Sequence, residues 1–276
     1  HPEIRPSDVK ETNYFIPARF DQPIAPLAVY ASHFRGGQGE PITMEASPGY
    51  FYGGRRIAEA IAEQVPAATV VLSFREPVSR LKSFFHFHKE KALLPPHMKL
   101  SAYLAQAQTY SLEDFRTEPT LERWFGVAGG TYDAYFPAWR DTLGPRLLVT
   151  WFDDIERRPY DVVDGVTRHM GLHSLSADRY VFNVENRTVV PRFAALHQGA
   201  LRVNTQLEPF LRRHMRLKAL IRSGYRSVNA ASRNHGDIDI SDEDLRLLFS
   251  DSEARFVAQL SESGYPAPRW TAPATR

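Results

Sequence analysis

The chain has 276 residues, 43% of them hydrophobic and 24% charged, which is the balance of a globular protein. This length fits one large α/β domain or two small ones, and we expect a single domain over 1–276. The net charge of +2 excludes a protein that coats nucleic acid, so any anion site must be local. The absence of cysteine excludes disulfides, thiol catalysis and cysteine metal sites.

No apolar run approaches about 18 residues, so the sequence predicts no membrane-spanning helix. No secretion signal is visible, and a chain without cysteine suits a reducing compartment, so we expect a cytoplasmic protein. The many Ala, Arg and Pro residues suggest a GC-rich bacterial genome. The first residues, HPEIRP, are typical of the middle of a domain, and we therefore expect the chain to be N-terminally truncated.

The first half of the chain contains two predicted strands and two predicted helices. Residues 1–25 are proline-rich and are expected to be irregular. The elements that follow are a short strand in 42–50 that breaks at Ser47-Pro48, a helix over 53–66, a strand over 69–74, and a helix from Pro77 to about Lys91. The continuous apolar run of 69–74 is typical of a strand buried on both faces of a parallel sheet.

The second half continues this alternation. Residues 92–130 are less regular, and we expect an insertion over the active face with a helix near 100–108. The remaining predicted elements are a helix (131–143), a strand (146–152), a helix that Gly171 ends (157–172), a basic helical stretch (194–220), a polar loop (227–240) and a helix capped by Ser241. We predict an α/β fold with a central, mostly parallel sheet flanked by helices, and core positions for Trp139 and Trp151.

The stretch that follows the strand 69–74 has the features of an anion site. Ligands of parallel sheets bind beyond the carboxyl ends of the strands, where Arg75 lies. The arginine fork matches a phosphate, Pro77 suits the start of a helix with free N–H groups, and Ser83 follows about two turns later. The alternative is that Arg75 pairs with a carboxylate at a sheet edge and Ser83 is an ordinary surface residue.

The same stretch, LSFREPVSRLKSFF (72–85), resembles the 3′-phosphate-binding segment of the PAPS-dependent sulfotransferases, where a serine follows the arginine by eight positions. Further segments of similar sequence are HPEIRPSDVKETNYF (1–15), EASPGYFY (45–52), GGTYDAYFPAWRDTLGPRLLVTWFDDIERRP (129–159) and NRTVVPR (186–192). They occur in the family's order over almost the whole chain. The branch that they resemble is that of bacterial sulfotransferases related to the heparan sulfate type.

This resemblance implies a P-loop-NTPase-like sulfotransferase fold and the transfer of a sulfuryl group from PAPS to a hydroxyl, with PAP as product and no metal. It implies that Arg75 and Ser83 hold the 3′-phosphate, and that Glu11 is the general base with Lys10 beside it. The expected acceptor is a carbohydrate or a small metabolite. The alternative for Lys10 and Glu11 is an exposed charge pair of little energetic consequence.

Four further candidates follow from their places in the sequence. Ser47, before Pro48, is a candidate nucleotide contact, with a simple turn residue as its alternative. The candidates for the acceptor cleft are Tyr14, His86 and Tyr132, with ordinary packing as the alternative for the last two. His86 and His88 are two apart on a predicted helix and so cannot readily share a metal ion, and we expect no metal site.

The chain departs from the family pattern in two places. The Lys-containing 5′-phosphosulfate loop has no counterpart here, and we expect it upstream of His1. Ala46 stands where the family often has lysine. A non-catalytic nucleotide- or glycan-binding relative therefore stays open as an alternative, whereas a P-loop kinase is weakened because G-x-x-x-x-G-K-[ST] is absent. The basic run 210–226 is either a solvated helix face or a wall for an anionic glycan or membrane surface.

Overall fold

The computed structural model describes residues 1–35, 39–182 and 235–271, with short strands at 190–191 and 230–231. The strands are β1 (Ile4–Pro6), β2 (Ile42–Met44), β3 (Val70–Phe74), β4 (Leu147–Trp151), β5 (Val190–Pro191) and β6 (Ala230–Ala231). The helices are α1 (Ile16–Arg19), α2 (Leu27–Ala31), α3 (Gly54–Gln64), α4 (Pro77–Glu90), α5 (Leu100–Ala107), α6 (Asp114–Thr117), α7 (Phe136–Leu143), α8 (Phe152–Arg157), α9 (Pro159–His169) and α10 (Asp242–Glu262). The basic stretches predicted over 194–220 and 210–226 lie outside the described residues.

Short 3₁₀ helices connect several of these elements. They are Ser32–Phe34, Pro48–Gly53, Pro119–Trp124, Ala128–Gly130, Tyr132–Ala134, Gly144–Arg146, Ala177–Arg179, His235–Asp237 and Arg269–Thr271. The helix predicted over 131–143 is thus a 3₁₀ turn followed by α7.

The strands pair mostly in parallel. β1 lies beside β2 with Ile4 opposite Ile42, and β3 lies beside β4 with Phe74 opposite Trp151. β5 and β6 form a short antiparallel pair. The predicted α/β class, with parallel strands flanked by helices, is confirmed, although the described strands form separate pairs instead of one continuous sheet.

The prediction that β3 is buried on both faces is wrong. Leu72 and Phe74 are buried, but Val71 is 40% exposed and Ser73 is exposed as well. Side chains of a strand alternate between its faces, so one face of β3 packs on the core and the other is accessible. An apolar run does not show how many faces a neighbour will cover, and this is why the sequence overestimated the burial.

Two other boundaries differ from the predicted ones. The helix predicted over 157–172 is α9, which begins at Pro159, and the short helix α8 before it was not predicted; Pro159 occupies the first turn of α9 and cannot continue a preceding helix. Gly171 follows α9 with a φ of 74°, as expected for a residue that ends a helix. Within the region predicted to be irregular, β1 and α1 are three and four residues long, too short for a periodic signal.

The core is largely aromatic. One cluster joins Phe51, Phe74, Phe136 and Phe256 with both Trp139 and Trp151, which confirms the two tryptophans as core residues. The Trp139 Nε1 donates to the Phe51 carbonyl at 2.9 Å, so α7 is tied to the chain just before α3. A second cluster packs α4 against α5 and α10, through Leu81, Phe85, Leu100, Tyr103, Leu245 and Phe249. α4 is therefore held by its apolar side against α5 and α10.

His88, at the C-terminal end of α4, gives the fold a pH dependence. Its ring is 4% exposed, lies 4.0 Å from the Phe84 ring and is hydrogen-bonded to the Phe84 carbonyl. Burial lowers the pKa of His88 below its ordinary value of 6.5. The unfolded chain therefore binds a proton that the folded histidine resists, and stability is lost as the pH falls below about 6.5. Urea unfolding at pH 5 and pH 7.5 should show this loss.

The variant His88→Leu should flatten the pH dependence of unfolding between these two values. The matched control is His97→Leu, which removes an exposed histidine shortly after α4 and should leave the slope unchanged. If the free energy of unfolding depended equally on pH in the wild type and in His88→Leu, the attribution of this pH dependence to His88 would be contradicted.

Candidate functional site

Arg75 lies at the carboxyl edge of the β3–β4 pair. It follows the last residue of β3, and its guanidinium lies over the ring of Phe152, 4.7 Å from the ring centroid. Phe152 follows the last residue of β4, so adjacent ends of two parallel strands meet here. The Arg75 Nε donates to the Ser79 hydroxyl at 3.0 Å, and the Tyr132 hydroxyl donates to the Arg75 carbonyl at 2.7 Å. The arginine is thus oriented at its backbone, its Nε and its planar face.

Within the described ranges, the terminal nitrogens of the Arg75 guanidinium have no protein partner. None of the ion pairs between described residues involves Arg75, so the alternative of a carboxylate partner at the sheet edge is not observed in this part of the chain. The two terminal nitrogens also make no hydrogen bond to any described residue. An oriented guanidinium with both of these nitrogens free suits a bidentate oxyanion.

Ser83 lies on the same face of α4 as Ser79, one turn further on. Its side chain is half-buried and forms no hydrogen bond to another residue within the described ranges. Arg75, Ser79 and Ser83 therefore form a polar stripe along the start of α4. Ser79 and Phe152 were missed from the sequence. Ser79 was detectable as the residue one turn before Ser83, and Phe152 as the residue that follows a predicted strand.

The expectation that the start of α4 offers free backbone N–H groups is wrong. The Glu76 carboxylate caps this helix, accepting from the N–H of Val78 at 3.2 Å and of Ser79 at 2.6 Å. An acidic N-cap satisfies the orphan donors and complements the helix dipole. An anion at this edge must therefore be held by the Arg75 side chain and the hydroxyls, and not by the N-terminus of α4.

The loop that carries Glu11 has an unusual backbone. Glu11 has a φ of 58° and Asn13 a φ of 52°, in the left-handed region that costs a residue such as glutamate about 1–2 kcal/mol. Contacts with the region after β2 hold this conformation: the Asn13 N–H donates to the Ser47 hydroxyl at 3.1 Å, and the hydroxyls of Thr12 and Tyr50 are 3.0 Å apart. The Glu11 side chain is exposed. Such over-determined strain is typical of functional loops.

Ser47 links the Glu11 loop to Glu45 by hydrogen bonds. It is 7% exposed, and its hydroxyl donates to Glu45 Oε2 at 2.7 Å while it accepts from Asn13. The predicted contact of Ser47 with the nucleotide stays a prediction, since both of its observed contacts are within the protein. Glu45, half-buried at the end of β2, is a second carboxylate near the Glu11 loop that the sequence did not single out. Its charge adds to burial in raising the pKa of Tyr30.

The other predicted site residues lie in three different settings. Tyr14 is 6% exposed, and its hydroxyl donates to the Ala25 carbonyl and to Gln64 Oε1. Lys10 is exposed, and His86 is half-buried with its ring 5.6 Å from that of Phe85. Tyr132 is 4% exposed with its hydroxyl on Arg75. The predicted roles of Tyr14, His86 and Tyr132 at an acceptor cleft, and of Lys10 beside the general base, stay predictions.

The Arg75 edge and the Glu11 loop are joined through the segment that precedes α3. Tyr50 contacts Thr12, while the ring of the next residue, Phe51, lies 5.2 Å from Phe74 and 6.1 Å from Tyr132. Phe74 directly precedes Arg75. The two halves of the candidate site therefore rest on one continuous stretch of aromatic packing.

A cleft of about 380 Å³ opens beside the segment that contains Tyr132. Its lining residues include Tyr110, Phe115, Thr131, Asp133 and Arg255. Tyr132 is not among them, since its side chain points to Arg75. The segment predicted as an insertion over the active face supplies much of this wall.

The described ranges hold no cluster of three or more His, Asp or Glu side chains arranged for a metal ion. Within the same ranges, no helix combines the length and the apolar character needed to cross a membrane.

Comparison with known proteins gives a likeness in structure. No family model matches the chain, and no curated protein sequence matches it either. Among solved structures, a sulfotransferase from Alicyclobacillus acidocaldarius is similar, with a TM-score of 0.56 and 21% sequence identity over 82% of this chain and 90% of that chain. At this identity the likeness shows a shared fold, so the chain has the α/β fold of that sulfotransferase.

Proposed function

We propose that the protein transfers a sulfuryl group from PAPS to a hydroxyl of a carbohydrate or small-molecule acceptor. The observation that carries this proposal is Arg75, oriented by Phe152, Ser79 and Tyr132 with its terminal nitrogens free of protein partners in the described residues. The fold shared with a sulfotransferase of Alicyclobacillus acidocaldarius supports it. The resemblance of 72–85 to the 3′-phosphate segment of that enzyme class supports it as well.

In this proposal Arg75 and Ser83 bind the 3′-phosphate. The guanidinium supplies two parallel N–H donors to two phosphate oxygens, and the Ser83 hydroxyl donates to a third. The Phe152 ring lies over the guanidinium and covers that side of it. The Glu76 carboxylate remains bound to the start of α4, so its charge is partly compensated by the helix dipole.

Glu11 acts as the general base in this proposal. Its carboxylate takes the proton of the acceptor hydroxyl as that oxygen forms a bond to sulfur, and the bond from sulfur to the bridging phosphate oxygen breaks to release PAP. PAPS supplies the sulfuryl group when it is bound. The exposed Glu11 carboxylate and the fixed φ of its loop favour this role over that of Glu45, which is committed to Ser47. Lys10, beside Glu11, adds positive charge at the place where the anionic group moves.

A non-catalytic relative that binds nucleotide or glycan is the second candidate. It is favoured by Ala46, which replaces a cation at the position where the family often has lysine. In this reading Arg75 binds the 3′-phosphate, but no transfer follows. We place either activity in the cytoplasm of a bacterium.

The test is an assay of PAP release on the parent protein, with whatever sequence precedes His1. Sulfur-labelled PAPS is supplied with a panel of mono- and oligosaccharides and small alcohols, and both PAP and labelled product are measured. Transfer to a hydroxyl is the expected result. PAP binding without transfer would favour the non-catalytic relative, and failure to bind PAP or PAPS would overturn both.

A further inference from the structure

We infer that α10, acting through Asp133 and Tyr132, positions Arg75 for its phosphate, so that the last described α-helix of the chain sets the nucleotide affinity of the β3 edge. This inference rests on the proposed function. It assigns positioning roles to Tyr132, Asp133 and the α10 residues that hold them. None of these residues needs to touch the ligand.

The first link joins Tyr132 to Arg75. The Tyr132 hydroxyl donates to the Arg75 carbonyl at 2.7 Å, and the two residues are 57 apart in sequence. Burial raises the pKa of Tyr132, so the hydroxyl stays protonated and remains a donor at physiological pH. Arg75 lies beyond the last paired residue of β3, and its carbonyl has no ladder partner on β4. The tyrosine therefore fixes the point from which the guanidinium extends.

The second link joins Asp133 to α10. The Asp133 carboxylate accepts from Arg255 Nε at 2.7 Å and from the Ser252 hydroxyl, and the Asp133 carbonyl accepts from Gln259 Nε2 at 3.2 Å. The Asp133 side chain is only 10% exposed. Three side chains of one helix thus bind the residue next to Tyr132, which leaves the Tyr132 backbone little freedom.

The same face of α10 supports the rings. Ser252, Arg255, Phe256 and Gln259 recur at helical spacing, and Phe256 is 2% exposed. The Phe256 ring lies 5.4 Å from Tyr132 and 4.9 Å from Phe74, the residue before Arg75. α10 therefore packs through Phe256 against both Phe74 and Tyr132. It also holds the Tyr132 segment through its hydrogen bonds to Asp133.

A bidentate contact requires accurate placement, and an error of about 1 Å in such a group is costly. The loss of the Tyr132 hydroxyl frees the Arg75 carbonyl while leaving the packed ring in place. The loss of the Asp133 charge loosens the whole segment. Both changes should weaken phosphate binding only as long as Arg75 is present to be positioned.

The experiment is a double-mutant cycle in which calorimetry measures the affinity of each variant for PAP. The thermal unfolding midpoint of each variant is measured as well, to show that it is folded. Tyr132→Phe and Asp133→Asn should each weaken PAP binding about tenfold, and each should have no further effect in an Arg75→Ala background. Two matched controls remove equivalent groups elsewhere. Tyr265→Phe deletes a hydroxyl that donates to the Leu147 carbonyl at the far end of β4, and Asp164→Asn disrupts an ion pair with Arg168 on α9.

Both controls should lower the thermal midpoint without changing PAP affinity. Wild-type affinity in folded Tyr132→Phe, or a loss of the same size with and without Arg75, would overturn the inference. If Tyr132→Phe does not fold, the Asp133→Asn cycle decides by the same criteria. Failure of the wild type itself to bind PAP would instead overturn the proposed function, and the inference with it.

Discussion

Replacing Arg75 with alanine should weaken the binding of PAP by roughly 2–5 kcal/mol, the range found when one partner of a desolvated charge pair is removed. The effect is large because the phosphate loses its bidentate partner, and no other cation among the described residues contacts Phe152, Ser79 or the Arg75 carbonyl at this edge. Isothermal calorimetry of PAP binding measures it directly. Arg75→Lys should recover part of the affinity, since it restores the charge without the planar fork.

The matched control for this prediction is Arg146→Ala. Arg146 lies just before β4, at the opposite end of the same strand pair, and its guanidinium donates to the Pro66 carbonyl at 2.6 Å. Its removal should leave PAP affinity within a factor of about two, because it is a surface contact distant from the carboxyl edge. An unchanged affinity in Arg75→Ala would remove the basis of the phosphate assignment.

Replacing Glu11 with glutamine should abolish most turnover, by about 10²–10⁴-fold, while PAP affinity stays unchanged. Glutamine keeps the shape of glutamate but cannot accept the acceptor's proton. The measurement is the rate of PAP release by the parent protein beside a calorimetric PAP titration. Turnover that survives the substitution would show that the base is another group, with Glu45 the next carboxylate along this part of the site.

The left-handed backbone of Glu11 allows a catalytic role of its side chain to be tested apart from any role in stability. Glycine adopts a φ of 58° without steric cost, so Glu11→Gly should leave the free energy of unfolding unchanged or raise it by about 1 kcal/mol while turnover is lost. Ala92→Gly is the control, because Ala92 has a φ of 55° at an exposed position after α4. It should show the same small change in stability with full turnover. A clear destabilisation of Glu11→Gly alone would mean that the Glu11 side chain serves the fold.

Local signals in the sequence predicted most of the regular elements. The apolar runs of β3 and β4 and the four-residue spacing of α3 lie where the structure has them. The cap of α10 is also as predicted, since the Ser241 hydroxyl accepts from the Asp244 N–H at 3.1 Å. These features depend on residues within one or two turns of each other, so the amino-acid sequence alone is enough to predict them.

Contacts between distant segments could not be predicted from the sequence. Tyr132 is 57 residues from Arg75, and Asp133 is 122 residues from Arg255, so no periodicity relates them. The Glu76 cap was missed for a different reason. Its acid stands directly before Pro77 and was available to a capping argument, but the helix start was read as a free anion site. The stripe of Arg75 and Ser83 was predictable because strand, turn and helix are contiguous there.

The measurement that tests the central claim most directly compares the affinity of the wild-type protein for PAP and for adenosine 5′-phosphate, which lacks the 3′-phosphate. If Arg75 and Ser83 hold that group, PAP should bind at least about 30-fold more tightly, a difference of roughly 2 kcal/mol or more. The preference should disappear in Arg75→Ala. Equal affinity of the wild type for the two nucleotides would contradict a 3′-phosphate site at the end of β3.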